Sequence, residues 1–283
     1  MRTRFTELFG CRLPLQLATL GGVGTTELAA SVIEAGGLGM VPYGVVAPSQ
    51  APAGVGFLVP YMPPLEEIAA VARGVKLIEF FEGEPDTGLV EAGHREGALV
   101  SWQVGSAEEA TRAAAAGCDI VVAQGIEAGG HVRGTTPLND LLTAVLAAVD
   151  IPVVAAGGIG TASRVADLLS SGADAVRCGT RFLACPECNS HPAYVRALLA
   201  ATAADTVLTD HFDDLGTWPA RVRVLKASLT RAREAGNRNT MPPTRGADGD
   251  PLAMACYAGL SVGWLTEAEP AGRVVADLCA QIG

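Results

Sequence analysis

A single (β/α)8 TIM barrel, an α/β fold with a helical insertion after the last strand, is what this sequence predicts, on three observations. Short apolar runs alternate with Ala-rich amphipathic segments along most of the chain, the pattern of βαβ units feeding a parallel sheet. Eight such runs can be read, the number that closes a barrel. The length, 283 residues, suits one barrel better than two average domains. Hydrophobic residues make up 49% of the chain, enough for a large core. Aromatics are only 5% while glycines number 34, which favours short strands, tight turns and Ala-rich helices over a β-sandwich.

The expected strands cover residues 13–18, 38–42, 54–59, 75–80, 98–103, 119–123, 152–156 and 174–178. The helices between them carry end signals. Ser106-Ala-Glu-Glu109 reads as a capping box whose helix stops at Gly117. Thr161 can cap a helix running to Gly172 with Val165, Leu168 and Leu169 on its buried face, and Thr25 or Thr26 opens another that ends at Gly36-Gly37. Two places break the rhythm. Between Pro42 and Gly54 there is room only for a loop, so the helix after the second strand is missing. After Cys178 the pattern is interrupted until a closing helix over residues 268–282, with helical stretches near 193–203 and 221–235 and a Pro/Gly-rich return between Met241 and Pro251. The division that follows is a barrel from residues 1–185 and 251–283, with residues 186–250 inserted as a helical lid.

Net charge is −10 and the isoelectric point about 4.9, so the basic footprint that a nucleic-acid partner needs is missing. The nearest basic stretch, Arg221, Arg223, Lys226, Arg231 and Arg233, is interleaved with Val222, Val224, Leu225 and Leu229 and reads as the solvated face of an amphipathic helix. Residues 1–7 carry two arginines but no apolar run behind them, so no secretory signal is expected, and no stretch is apolar for the ~18 residues of a membrane span. Seven scattered cysteines, an odd number, point to reduced thiols and a cytoplasmic protein.

Active sites of such barrels lie at the C-terminal ends of the strands, often with a phosphate held after strands seven and eight. Gly157-Gly158 follows the seventh expected strand, and Gly179-Thr180 follows the eighth. Glycine lets backbone approach a phosphate and supplies exposed N–H donors, and the Thr180 hydroxyl adds another. A lone glycine pair could be a simple turn; two glycine sites one βα unit apart at these strands point to phosphate binding. The sixth strand ends Val121-Val-Ala-Gln-Gly-Ile-Glu-Ala-Gly-Gly-His131. Gln124 would aim its amide into the barrel mouth, and Gly129-Gly130 would admit a ligand close to backbone. His131 then stands at the catalytic rim, where an imidazole suits proton transfer, against the plainer role of a loop histidine.

That strand-six segment resembles the nitronate monooxygenase family, formerly the 2-nitropropane dioxygenases. Pro152-Val-Val-Ala-Ala-Gly-Gly-Ile159 and Gly172-Ala-Asp-Ala-Val-Arg-Cys-Gly-Thr-Arg-Phe-Leu183 continue the likeness through the family's phosphate site. Glu187-Cys-Asn-Ser-His-Pro-Ala-Tyr194, Tyr257-Ala-Gly-Leu-Ser-Val-Gly-Trp-Leu265, Gly21-Gly22-Val23 and Glu34-Ala-Gly-Gly-Leu-Gly39 extend it over nearly the whole chain. The resemblance implies an FMN-dependent oxidoreductase that converts an alkyl nitronate and O2 to a carbonyl compound and nitrite. Gln124 and Gly129 would contact the flavin; Gly158, Gly179 and Thr180 would hold its phosphate, with Gly157 and Cys178 also among the cofactor-binding positions; and His131 would be the catalytic base or hydrogen-bond donor. Ala18 and Thr19 stand at the strand-one position near the ring, where the family has Pro-Met. Two further departures are Gly56, where the family has Asn, and Leu260, where it has Gln. The partners implied are a small-molecule substrate (nitronate or similar) and O2, with no nucleic acid, no membrane, and a homodimer as an open arrangement.

Other residues receive plainer readings. Cys185-Pro-Glu-Cys188 lacks the second ligand pair that a zinc site needs. His191 before Pro192 marks a helix start, Trp102 serves core or pocket, and Arg177 is expected in an outward salt bridge, with Arg133 the other cation near the mouth. Two other functions compete: an NAD(P)H-dependent flavin reductase of the quinone or enoyl-acyl-carrier-protein type, and a barrel repurposed after losing its flavin chemistry.

Overall fold

A computed structural model describes residues 1–49, 51–212 and 221–282. All eight expected barrel strands are present: β1 (Leu15–Leu17), β2 (Gly39–Pro42), β3 (Ala53–Leu58), β4 (Leu77–Phe81), β5 (Leu99–Val104), β6 (Ile120–Gln124), β8 (Val153–Ala156) and β9 (Ala175–Cys178). Between β6 and β8 a two-residue strand, β7 (Gly130–His131), belongs to a second sheet. The barrel runs β1-β9-β8-β6-β5-β4-β3-β2, every neighbour pair parallel, and a parallel bridge between Gln16 and Leu38 joins the two ends.

Three helices begin where the expected caps place them. Thr25 accepts the Leu28 N–H ahead of α2 (Thr26–Ala35), and Ser106 accepts that of Glu109 ahead of α5 (Ala107–Ala115). Thr161 accepts from Arg164 ahead of α7 (Ala162–Ser170), which buries Val165, Leu168 and Leu169. The helices α3 (Leu65–Ala72), α4 (Thr87–His94), α6 (Leu138–Ala148) and α10 (Ala271–Leu278) complete the outer ring, and β2 passes to β3 through turns without a helix. At the N-terminal end of the strands, α1 (Arg4–Phe9) buries Phe5 and Phe9. There Arg4 donates from Nε and Nη2 to the Asp174 carboxylate at 2.8 and 2.7 Å, and Asp174 also accepts the Val153 N–H. The opposite face is left open for a site. Among the described residues no helix is long and apolar enough to cross a membrane.

The inserted segment is mixed rather than purely helical, which corrects the sequence expectation. It holds α8 (Pro192–Leu199) and α9 (Lys226–Ala235), together with β10 (Thr206–Thr209) and β11 (Val222–Leu225), which pair antiparallel. β11 also pairs with β7, setting Val222 opposite His131. Val222 and Val224 are buried and recur with period two, so residues 222–225 form a strand instead of the first turn of the expected amphipathic helix. Arg223, assigned from sequence to a solvated helix face, is half-buried and donates from Nη2 to the Ile126 carbonyl at 2.8 Å. The part of the expected insertion at residues 213–220 lies outside the described residues.

Candidate active site

A cavity of about 680 Å³ opens at the C-terminal ends of the barrel strands, and every residue assigned to the site from sequence borders it: Ala18, Thr19, Gln124, Gly129, His131, Gly157, Gly158, Cys178, Gly179 and Thr180. Residues 239–242 of the insertion, Tyr194 and Tyr257 border it as well. None of these was assigned to the site from sequence, although Tyr194 and Tyr257 lie in segments that carry the family resemblance.

The Gly157-Gly158 and Gly179-Thr180 segments form a cradle of backbone. Gly157 and Gly158 both have positive φ, 113° and 68°, a conformation that side chains disfavour. A Cβ on Gly158 would lie 2.8 Å from Cβ of Glu127, and one on Gly157 would lie 3.0 Å from the Gly125 carbonyl oxygen. The next strand leads through Gly179 into a 3-10 turn, Thr180–Phe182, that has no side-chain cap. The Thr180 hydroxyl oxygen accepts the Gly259 N–H at 3.0 Å, which leaves its own proton to donate to another group.

His131 sits on β7 and is held through its backbone. The Gln124 amide donates from Nε2 to the His131 carbonyl at 2.9 Å and accepts the Arg133 N–H at 3.0 Å. Gln124 thus borders the cavity while its amide grips β7. The imidazole has two aromatic neighbours, with ring centroids 6.2 Å from Phe81 and 6.0 Å from Tyr257.

The inner wall holds what sequence reading placed elsewhere. Arg177, expected to face outward, points into the barrel because β9 pairs it with Gln16 and Ala156 on the inward face. Its Nη1 lies 2.6 Å from Oε1 of Glu79 and donates to Oε1 of Gln103 at 3.1 Å. Glu79 is fully buried and also accepts from Gln16 at 3.0 Å and Ser101 at 3.3 Å. Barrel interiors are ordinarily filled by branched apolar side chains, so this charged layer is a departure. Removing one partner of such a pair costs about 3–5 kcal/mol, because it strands a buried charge. Arg177→Ala is therefore expected to lower unfolding stability by about that much, and the neutral double variant Glu79→Gln/Arg177→Gln by much less. Urea denaturation of both checks this; equal stability of Arg177→Ala and the parent would refute it.

Thr19 and Gly56 form a matched pair. A Cβ at Gly56 would lie 2.4 Å from Oγ1 and 2.7 Å from Cγ2 of Thr19, so the strand-one departure fills the space left by the strand-three departure. Leu260, the third departure, donates its N–H to the Glu127 carbonyl, while the adjacent Ser261 borders the cavity.

The remaining candidates have structural roles. His191 caps α8, its Nδ1 accepting the Ala193 N–H, and Trp102 is buried in the core, donating to the Gly83 carbonyl at 3.1 Å. Arg133 pairs with Glu84 and Glu109. All seven cysteines are free and buried; burial pushes the Cys178 thiol up to about 12, beyond the range of a ready nucleophile. No group of side chains among the described residues could hold a metal ion.

The family model described as nitronate monooxygenase matches residues 57–281. The chain is 34% identical over 269 residues to the nitronate monooxygenase of Pseudomonas aeruginosa, an overlap of 74% of this chain and 77% of that one. Across the first curated relatives the chain spans from 39% to 77% of their length. Among solved structures, FabK from Thermotoga maritima superposes with a TM-score of 0.85 at 29% identity, covering 98% of this chain and 95% of that one. Nitroalkane oxidase from Streptomyces ansochromogenes gives 0.79 at 30% identity, covering 98% and 97%. A family match over most of the chain, joined to this barrel, places the protein in the nitronate monooxygenase family of flavin-dependent oxidoreductases.

Proposed function

We propose that the protein binds FMN and oxidises alkyl nitronates with O2, giving a carbonyl compound and nitrite. The observation that carries this reading is the convergence, on one cavity, of His131 with a backbone cradle whose left-handed conformation and close contacts at Gly157 and Gly158 leave no room for a side chain. The cradle suits a phosphate dianion: glycine backbone allows close approach, N–H groups donate, and among the described lining residues there is no carboxylate to repel it. Gly157, Gly158, Gly179 and Thr180 would hold the phosphate, while Ala18, Thr19, Gly129 and Cys178 would lie along the rest of the cofactor. When bound, FMN supplies the one-electron chemistry that links an organic carbanion to oxygen.

The chain's own residues do the rest. Phe81 and Tyr257 fix the His131 ring in place, and the Gln124 amide fixes its backbone. The imidazole can then take the α-proton of a neutral nitroalkane, or donate a hydrogen bond to a nitronate oxygen. The Thr180 hydroxyl, already accepting from Gly259, would donate to that phosphate. The described part of the insertion, whose β11 pairs with β7 and whose residues 239–242 border the cavity, serves as a lid that keeps bulk water from the reacting carbon.

Purified protein mixed with ethylnitronate should consume O2 and release nitrite without a reduced nicotinamide. The likeness to FabK and the 31% identity to a carboxyl-CoA dehydrogenase of Mycobacterium tuberculosis favour a second reading, nicotinamide-linked flavin redox chemistry. Oxidation of NADH or NADPH by the protein, with no nitrite formed from ethylnitronate, would establish that second reading and defeat the first.

A further inference from the structure

We propose that Arg177, positioned by Glu79 and Gln103, is a recognition site for a planar, negatively charged acceptor edge at the inner end of the cavity. Three observations carry it. First, Arg177 is the one permanently charged side chain among the described cavity-lining residues, and no carboxylate accompanies it there, although the whole chain carries a net charge of −10. Second, the side chain is held rigidly. Its Nη1 is committed to Glu79 at 2.6 Å and Gln103 at 3.1 Å, and Glu79 is itself fixed by Gln16 and Ser101. Third, the guanidinium keeps donors in reserve. Nε and Nη2 make no hydrogen bond to a described residue, yet neither is among the buried unpartnered atoms, so they reach accessible space.

A planar guanidinium fork with free N–H groups matches two coplanar acceptors, as in a carboxylate or nitronate. Glu79 behind the fork cancels its net charge, so the site selects by direction and hydrogen bonding more than by long-range attraction. The acceptor edge has two sources, the anionic head of the substrate or the pyrimidine edge of the flavin. The inference rests on reading this cavity as the cofactor and substrate site. Its test is a binding measurement, so loss of the proposed reaction and loss of the anion site are distinguishable.

The probes are benzoate and its neutral isostere benzamide, titrated calorimetrically into the flavin-loaded parent, Arg177→Lys and Glu79→Gln/Arg177→Gln. The double variant leaves no stranded charge, and its thermal unfolding reports whether it folds. A hydrogen bond to a charged group is worth about a factor of 10–100 in affinity. The parent is expected to prefer benzoate, the double variant to lose that preference by about this factor, and Arg177→Lys to fall between them because it keeps charge without the fork. The reduction potential of the bound flavin is measured in parallel. Lost preference at unchanged potential assigns the site to the substrate. Unchanged preference with a potential lowered by about 30 mV per tenfold assigns it to the flavin edge. A folded double variant that alters neither quantity overturns the proposal. A parent that discriminates benzoate yet makes no nitrite from ethylnitronate removes the reaction and leaves the site standing.

Discussion

Replacing Gly158 with leucine is expected to give a folded protein that no longer retains flavin. At φ 68° leucine takes a left-handed conformation costing about 1–2 kcal/mol, a tolerable fraction of a typical stability of about 5–15 kcal/mol. Its Cβ would meet Cβ of Glu127 at 2.8 Å, so the loop must shift by several tenths of an ångström, at the place where N–H groups must aim at phosphate. Losing two charge-assisted hydrogen bonds removes about 3–6 kcal/mol of binding, roughly 10²–10⁴ in Kd. Gly158→Ala carries the same Cβ and the same strained φ, so it should already show most of this loss. The flavin-to-protein absorbance ratio after gel filtration, taken beside a thermal melt, checks both variants. A leucine variant that melts like the parent and keeps its full flavin complement would remove the cradle from the phosphate assignment.

The barrel was legible because its signals are local. Apolar runs such as Val153–Ala156 and caps such as Ser106 and Thr161 act within a few residues, and α5 and α7 begin where those caps place them. The glycine sites were legible for the same reason, since their conformational demands sit in the loops that contain them. Residues whose role depends on a distant partner were not legible. Arg177 within Ala-Val-Arg-Cys looked like an outward charge, because nothing nearby signals Glu79. Two charges in otherwise apolar strands, Glu79 in Leu77–Phe81 and Arg177 in Ala175–Cys178, were the available hint that they neutralise each other inside the barrel. Arg221 and Arg223 misled in another way. Val222, Val224, Leu225 and Leu229 satisfy a helical period only if the two-residue alternation at their start is overlooked, and the β7 edge that completes that strand lies far away in sequence. The Thr19–Gly56 exchange looked like two losses from the resemblance alone; the packing shows one side chain occupying the space of the other.

His131→Ala is expected to leave flavin bound while cutting turnover of neutral nitroalkane by about 10²–10⁴-fold, the usual contribution of a general base. Flavin should stay because the cradle belongs to the loops after β8 and β9, whereas His131 sits on β7. The fold should hold because β7 is secured through backbone, by its pairing with β11 and by the Gln124 amide on the His131 carbonyl, and none of these contacts uses the imidazole. What the variant loses is a ring beside Phe81 and Tyr257, whose removal leaves a gap at the cavity edge. A preformed nitronate has already given up its α-proton, so a base is redundant for it and its turnover should fall far less. That contrast separates chemistry from structure, since a loosened site would penalise both substrates alike. Steady-state rates on nitroethane and on ethylnitronate, with flavin content measured on the same preparation, read it directly. Equal losses on the two substrates with flavin retained would move His131 from proton transfer to binding the nitro group. Unchanged rates on both would leave the imidazole as a wall of the cavity and remove it from proton transfer.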